Sequence, residues 1–287
     1  MTIREILLPV VGTSTGAIAL AMALSIAKRW NAHVTALYVP GASRTATSMW
    51  SAELAGAMVD DMIAAMQKES NDQELTIRSE FERIAARQHV VLREGEYGLG
   101  HATASFAMAT GREEVFARQA RLADLTVVPH LGSAEDNLLS DALHAVLFDS
   151  GRPAMIAPRH EVELIGTRVC LAWNGTAESA ASVISAMPWM TRADAVCILS
   201  AEGYQRRGPA APELAAYLAL HGVRAEIRMF PAIDNSVGAG LLEAARQFSC
   251  DLLSMGAYSH SRLRQAILGG VTRHVLENAT IPVMMTR

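Results

Sequence analysis

The segment from Asp251 to Thr272 carries the residue pattern with the clearest chemistry in this chain. An apolar run, Leu252-Leu253-Ser254-Met255, ends at Gly256. A loop of hydroxyl and basic side chains follows, Tyr258-Ser259-His260-Ser261-Arg262-Leu263-Arg264, and Gly269-Gly270 then opens a helical stretch at Val271-Thr272. A strand that runs through such a loop into a helix start presents unpaired backbone N–H groups to an anion, and the helix dipole favours negative charge there. The implied chemistry is phosphate binding by backbone amides. Arg262, Arg264 and His260 add charge to a bound phosphate or line a solvated loop, and the sequence leaves both readings open. No Lys-Ser or Lys-Thr follows the glycines, so this is not a Walker loop with its magnesium ligand.

The elements that must position this segment occur twice. Residues 6–13 form an apolar run ending in Gly12-Thr13, an Ala-rich helical run extends from Thr15 to Trp30, and residues 32–39 are apolar again. From Arg168 the order returns: Val169-Cys170-Leu171-Ala172-Trp173-Asn174-Gly175-Thr176, an Ala-rich run to Met190, then residues 195–200. Ala123-Asp124-Leu125 answers Cys250-Asp251-Leu252, and the run 152–158 answers 281–286. Continuous apolar runs alternating with helical spacing imply parallel sheets covered on both faces. Each half therefore reads as β-α-β-α-β-α-β-α-β. In the first half the second helix extends from about Met49 to Arg87 with a break at Asn71-Asp72, and the third strand is Val90-Val91-Leu92. The halves meet near Arg159 to Gly166.

Bulk properties exclude several classes. A chain of 287 residues with net charge −4 and pI near 6.1 has no electrostatic footprint for nucleic acid. No apolar run is long enough to cross a membrane, and Met1-Thr2-Ile3-Arg4-Glu5 leads into a strand rather than a signal peptide, so a cytoplasmic protein is expected. Cys170, Cys197 and Cys250 lie in apolar runs without Cys-x-x-Cys spacing, as buried thiols do. The histidines are scattered, and no metal centre is expected.

The pattern Met255-Gly256-Ala257-Tyr258-Ser259-His260-Ser261-Arg262-Leu263-Arg264, then Leu268-Gly269-Gly270-Val271-Thr272, then Ala279-Thr280-Ile281-Pro282-Val283-Met284, resembles the C-terminal signature of the universal stress protein family. Nucleotide-binding members of that family carry Gly-x2-Gly-x9-Gly-Ser/Thr there. The resemblance covers the chain as two copies, strongly in the second half and in outline in the first. It implies two consecutive doubly wound α/β domains, residues 1–160 and 161–287, each with a five-stranded parallel sheet of order 3-2-1-4-5, an adenine-nucleotide alpha-hydrolase-like fold. Ligands of such sheets bind at the switch point, here between strands one and four. The resemblance then implies a cytoplasmic stress-response protein binding ATP or another adenine nucleotide: Asn174 at adenine, Ser200 in one wall, Gly256 at the ribose, and Ser259, Arg262, Gly269, Gly270, Val271 and Thr272 around the phosphates. A regulatory or binding role leads, and a slow ATP hydrolase or phosphotransferase in the same crevice is the alternative.

Departures from the family pattern matter. Ser259 stands where the second Gly is expected, Gly270 where a hydroxyl is, with Thr272 the next hydroxyl, and Asn174 replaces an Asp, adding a donor where only acceptors stood. The first half is expected to lack the site. Val11 offers a base no side-chain hydrogen bond, Pro129-His130 stands at the Gly256 position, and Ser140-Asp141 stands at the Gly269-Gly270 position, where a carboxylate at a helix start would repel phosphate. Gly12-Thr13-Ser14-Thr15-Gly16 has the form of a hydrolase elbow, but its counterpart of Ser14 is Ala177, and both segments read as helix N-caps. Gly98-Leu99-Gly100 reads as a loop, Trp173 as core, and Met49, Met58, Met62 and Met66 as packing of the long helix. The terminal strands of the halves should pair antiparallel, making an intrachain pseudo-dimer, with a homodimer of the chain left open.

Overall fold

The computed structural model describes residues 2–10, 14–40, 56–93, 100–111, 114–131, 137–203, 208–257 and 270–287. The first half runs β1 (Glu5–Pro9), α1 (Ser14–Trp30), β2 (His33–Tyr38), α2 (Gly56–Arg87), β3 (Val91–Leu92), β4 (Thr103–Met108), α3 (Glu114–Ala120), β5 (Leu125–Val128), α4 (Asn137–Asp149) and β6 (Ala154–Ile156). The second runs β7 (Arg168–Ala172), α5 (Ala177–Met190), β8 (Ala195–Ala201), α6 (Ala211–Leu220), β9 (Ala225–Phe230), α7 (Val237–Gln247), β10 (Leu252–Gly256), α8 (Gly270–Asn278) and β11 (Val283–Thr286). Together they build one eleven-stranded sheet of order β3-β4-β2-β1-β5-β6-β11-β10-β7-β8-β9.

The second half reproduces the expected strand order 3-2-1-4-5 with every pairing parallel. The first half departs from it in one place. Its third strand is β4, parallel to β2, and Val91–Leu92 is an added sixth strand outside it. Thr103-Ala104-Ser105-Phe106-Ala107-Met108 lacks the branched apolar residues that mark a strand. Its polar side chains find their partner across the ladder, where the His33 ring nitrogens lie 2.8 Å from Thr103 Oγ1 and 2.8 Å from Ser105 Oγ. The second correction is α2, which passes through Asn71-Asp72 without a break. Each of those residues costs a helix only about 0.7 kcal/mol or less, and no Gly or Pro stands there to stop it. Ile77, Phe81, Ile84 and Ala85 follow at helical spacing, and their burial holds the helix on the sheet. Residues 49–55 lie outside those described.

Two apolar cores flank the sheet, one on each face, and each contains residues of both halves. The halves join where β6 and β11 pair antiparallel, Met155 opposite Met284 and Ala154 opposite Met285. This is the pairing expected of the two terminal strands, and it covers both edges. Across the junction Trp30 and Trp189 meet edge to face at 5.4 Å, with the Arg192 guanidinium 3.9 Å over Trp30 and that of Arg29 5.8 Å over Trp189. Arg29 also donates to the carbonyls of Ile165 and Gly166 in the connecting segment. Cys170, Cys197 and Cys250 are buried free thiols, and hydrogen bonding to Cys197 and Cys250 together with burial pushes the Cys170 thiol up. Among the described residues no helix is long and apolar enough to cross a membrane.

Candidate functional site

Matching carboxylates start the first strand of each half. Asp124 Oδ2 accepts from the amides of Arg4 and Glu5, at 2.7 and 3.1 Å. Asp251 accepts from the amides of Thr167 and Arg168, at 3.0 and 2.9 Å, and from the Thr167 hydroxyl. These clamps set β1 beside β5 and β7 beside β10. The carboxyl ends of β7 and β10 are thereby neighbours, with Ala172 opposite both Met255 and Leu199. The crevice beyond them is the switch point of the second half.

Beyond β7 the chain turns sharply. Trp173 is buried, its amide donating to Leu199 and its indole N–H to the Pro209 carbonyl at 2.9 Å, so the expectation of a core tryptophan holds. Asn174 is half-buried, and its Oδ1 accepts from Thr176 N at 3.1 Å, which leaves Nδ2 without a partner among the described residues. Gly175 has φ +80, and a Cβ there would press on Gly208 and Pro209. Gly208 is tighter still, since its Cβ would collide with the Gly175 carbonyl. Sequence reasoning missed the Gly208-Pro209 wall, although that dipeptide is itself a turn signal. Thr176 caps α5, accepting from Ser179 N at 3.3 Å, as expected of this segment.

Gly256 has a packing reason of its own. A Cβ on it would come within 2.6 Å of the backbone of Glu178 and Ser179, so this glycine lets β10 close against the first turn of α5. Ser200 is buried near the end of β8. Gly270 is the first residue of α8, exposed, with no described atom within 4 Å of a Cβ placed on it. Val271 is half-buried and Thr272 buried in the same turn. The leading amides of this helix have no intrahelical acceptor among the described residues, and they stand at its positive end. The structure thus brings Asn174, Ser200, Gly256, Gly270, Val271 and Thr272 to the carboxyl side of one sheet. Ser259, Arg262 and Gly269 lie outside the described residues, as do His260, Arg264 and the third-strand loop residues Gly98 and Leu99.

In the first half, Val11, Gly12, Thr13, Gly132 and Ser133 also lie outside the described residues. Pro129 and His130 are buried after β5, and Arg159 Nε reaches His130 Nδ1 at 3.4 Å. Asp141 corrects the reading of α4. That helix starts at Asn137 and has no acidic residue in its first turn, so Asp141 lies one turn inside rather than at the dipole. Glu5 is the carboxyl raised to about 7, by burial against the hydrogen bond from Thr35 Oγ1 at 2.6 Å, and it lies at the opposite end of β1 from any switch-point crevice. Among the described residues no group of His, Cys, Asp and Glu could hold a metal ion.

Comparison with known proteins places this geometry. Residues 172–287 match the model of the Universal stress protein family. The second half is a universal stress protein domain. Over the whole chain, the structure is similar to that of a universal stress protein from Archaeoglobus fulgidus, with TM-score 0.68 and 15% identity, covering 99% of this chain and 98% of that one. It is similar also to a functionally unknown protein from Pseudomonas aeruginosa, with TM-score 0.54 and 14% identity, covering 99% and 92%. At these identities the likeness is one of fold, and it extends the tandem arrangement to both halves of this chain. No curated protein matches it in sequence.

Proposed function

We propose that the protein is a cytoplasmic stress-response factor that binds one adenine nucleotide, ATP first among them, in its second half. The domain division is residues 1–160 and 161–287, with the nucleotide in the latter. The observation that carries this reading is the position of the family match, residues 172–287, over the half whose β7 and β10 meet at the switch point with a helix start opposite them. Asn174 Nδ2 would donate to the base. Ser200 would line one wall, and Gly256, by letting α5 close against the end of β10, would set the ribose side of the crevice. Amides of Gly269, Gly270, Val271 and Thr272, with Ser259 and Arg262 from the preceding loop, would hold the phosphates. The first half takes no nucleotide in this manner, because Pro129 and His130 stand where Gly256 stands in the second half. Native mass spectrometry of freshly purified protein tests the reading: a retained adenine nucleotide at one per chain is expected, and two per chain would overturn the assignment to one half. A single-turnover incubation with labelled ATP separates a binding module from a hydrolase, since only the latter releases phosphate at a rate that falls with Gly269→Val.

A further inference from the structure

The sheet ends on one side at β9, and this edge carries a self-complementary pattern. Glu202 N donates to the Phe230 carbonyl. Peptide groups alternate in direction along a strand, so Phe230, Arg228 and Glu226 turn theirs to β8, while Ala225, Ile227 and Met229 turn theirs outward. The edge is not apolar waste surface alone: Ile227 is 39% and Met229 53% exposed. On either side of Ile227, Glu226 and Arg228 pair with each other at the surface, their side chains 48% and 40% exposed. Arg228 is held there by the Phe248 ring, 5.1 Å away.

We propose that β9 is a docking edge for a second copy of this chain, pairing antiparallel about a two-fold axis at Ile227. In that register the outward peptide groups of Ile227 face each other, and Ala225 faces Met229 of the other copy. Glu226 and Arg228 then fall opposite one another, twice, in the non-hydrogen-bonded positions where side chains lie closest. Registers displaced by one pair in either direction put Glu226 opposite Glu226, or Arg228 opposite Arg228, and like charges directly opposite are unfavourable. Charge therefore selects one alignment rather than merely discouraging aggregation, as single-sign edge charges do. The product joins two eleven-stranded sheets into one through an isologous contact. It is distinct from the β6–β11 junction inside each chain.

The test is sedimentation equilibrium of the full-length protein across a micromolar to millimolar range, with circular dichroism confirming that each variant folds. Wild type is expected to pass from 30.8 kDa to twice that mass. Arg228→Glu and Glu226→Arg, each creating two like-charge pairs, should weaken the dimer roughly tenfold or more. The double variant Glu226→Arg with Arg228→Glu should restore it. Ile227→Pro removes an outward N–H that the protomer's own ladder does not use, and should abolish the dimer without unfolding the chain. A protein that stays monomeric throughout the range, or a dimer indifferent to these variants, or one not restored by the double swap, overturns the proposal.

Discussion

Asp124 and Asp251 show how a single residue type does the same work in both halves. Each carboxylate satisfies two backbone amides at the start of a first strand, so Asp251→Ala should cost about 2–3 kcal/mol in urea unfolding, the value of charge-assisted bonds left open. The repeat made this pair visible, because the two Asp-Leu sequences align. Gly256 was visible as a glycine but not for its reason: contact with the backbone of Glu178 and Ser179 depends on how α5 lies over β10, which no local pattern encodes. Gly256→Ala should therefore destabilise the protein by about 1–3 kcal/mol whether or not nucleotide is present. Glu5 is a further residue that only packing reveals. Its carboxyl, ordinarily near 4.5, is raised to about 7 by burial, so the folded state holds a proton that the unfolded state releases between those values. The stability this contributes is fully present below the unfolded value and is lost as pH rises through the folded one. Glu5→Gln should flatten that dependence and raise stability at about pH 8 by about 1–2 kcal/mol, the full shift being discounted for partial exposure.

At the scale of elements, long apolar strands and Ala-rich helices were legible because burial on two faces leaves a continuous apolar run. The misread elements are those whose stability comes from partners distant in sequence. β4 is held to β2 by His33, Thr103 and Ser105, a cross-strand trio separated by some seventy residues. Burial pushes the His33 imidazole below its ordinary 6.5, so the folded state keeps this ring neutral while the unfolded state protonates. That stability is present above the unfolded value and is lost as pH falls from about 6.5 through the folded one. Chemical unfolding at acid and neutral pH should show this loss in wild type, and His33→Ala should remove the step while lowering stability at neutral pH by about 1–3 kcal/mol through two orphaned hydroxyls.

The whole molecule is built as a single unit from a repeated plan. One sheet and two cores run through both halves, and Trp30 and Trp189 lock the junction with an arginine over each ring. Calorimetric melting should accordingly show one transition, and Met155→Lys at the β6–β11 seam should lower it by more than a surface change would. On the function proposed above, the second half binds a nucleotide through the amides at the start of α8. Gly270 is the position at which to test it, since a side chain there meets no described atom and so changes access without disturbing packing. Titration calorimetry of ATP into wild type and Gly270→Val, both shown folded by circular dichroism, is the most direct measurement. One site per chain is expected in wild type and at least about a tenfold loss of affinity in the variant, as blocked close approach of phosphate requires; equal affinity in the two folded proteins would rule the site out.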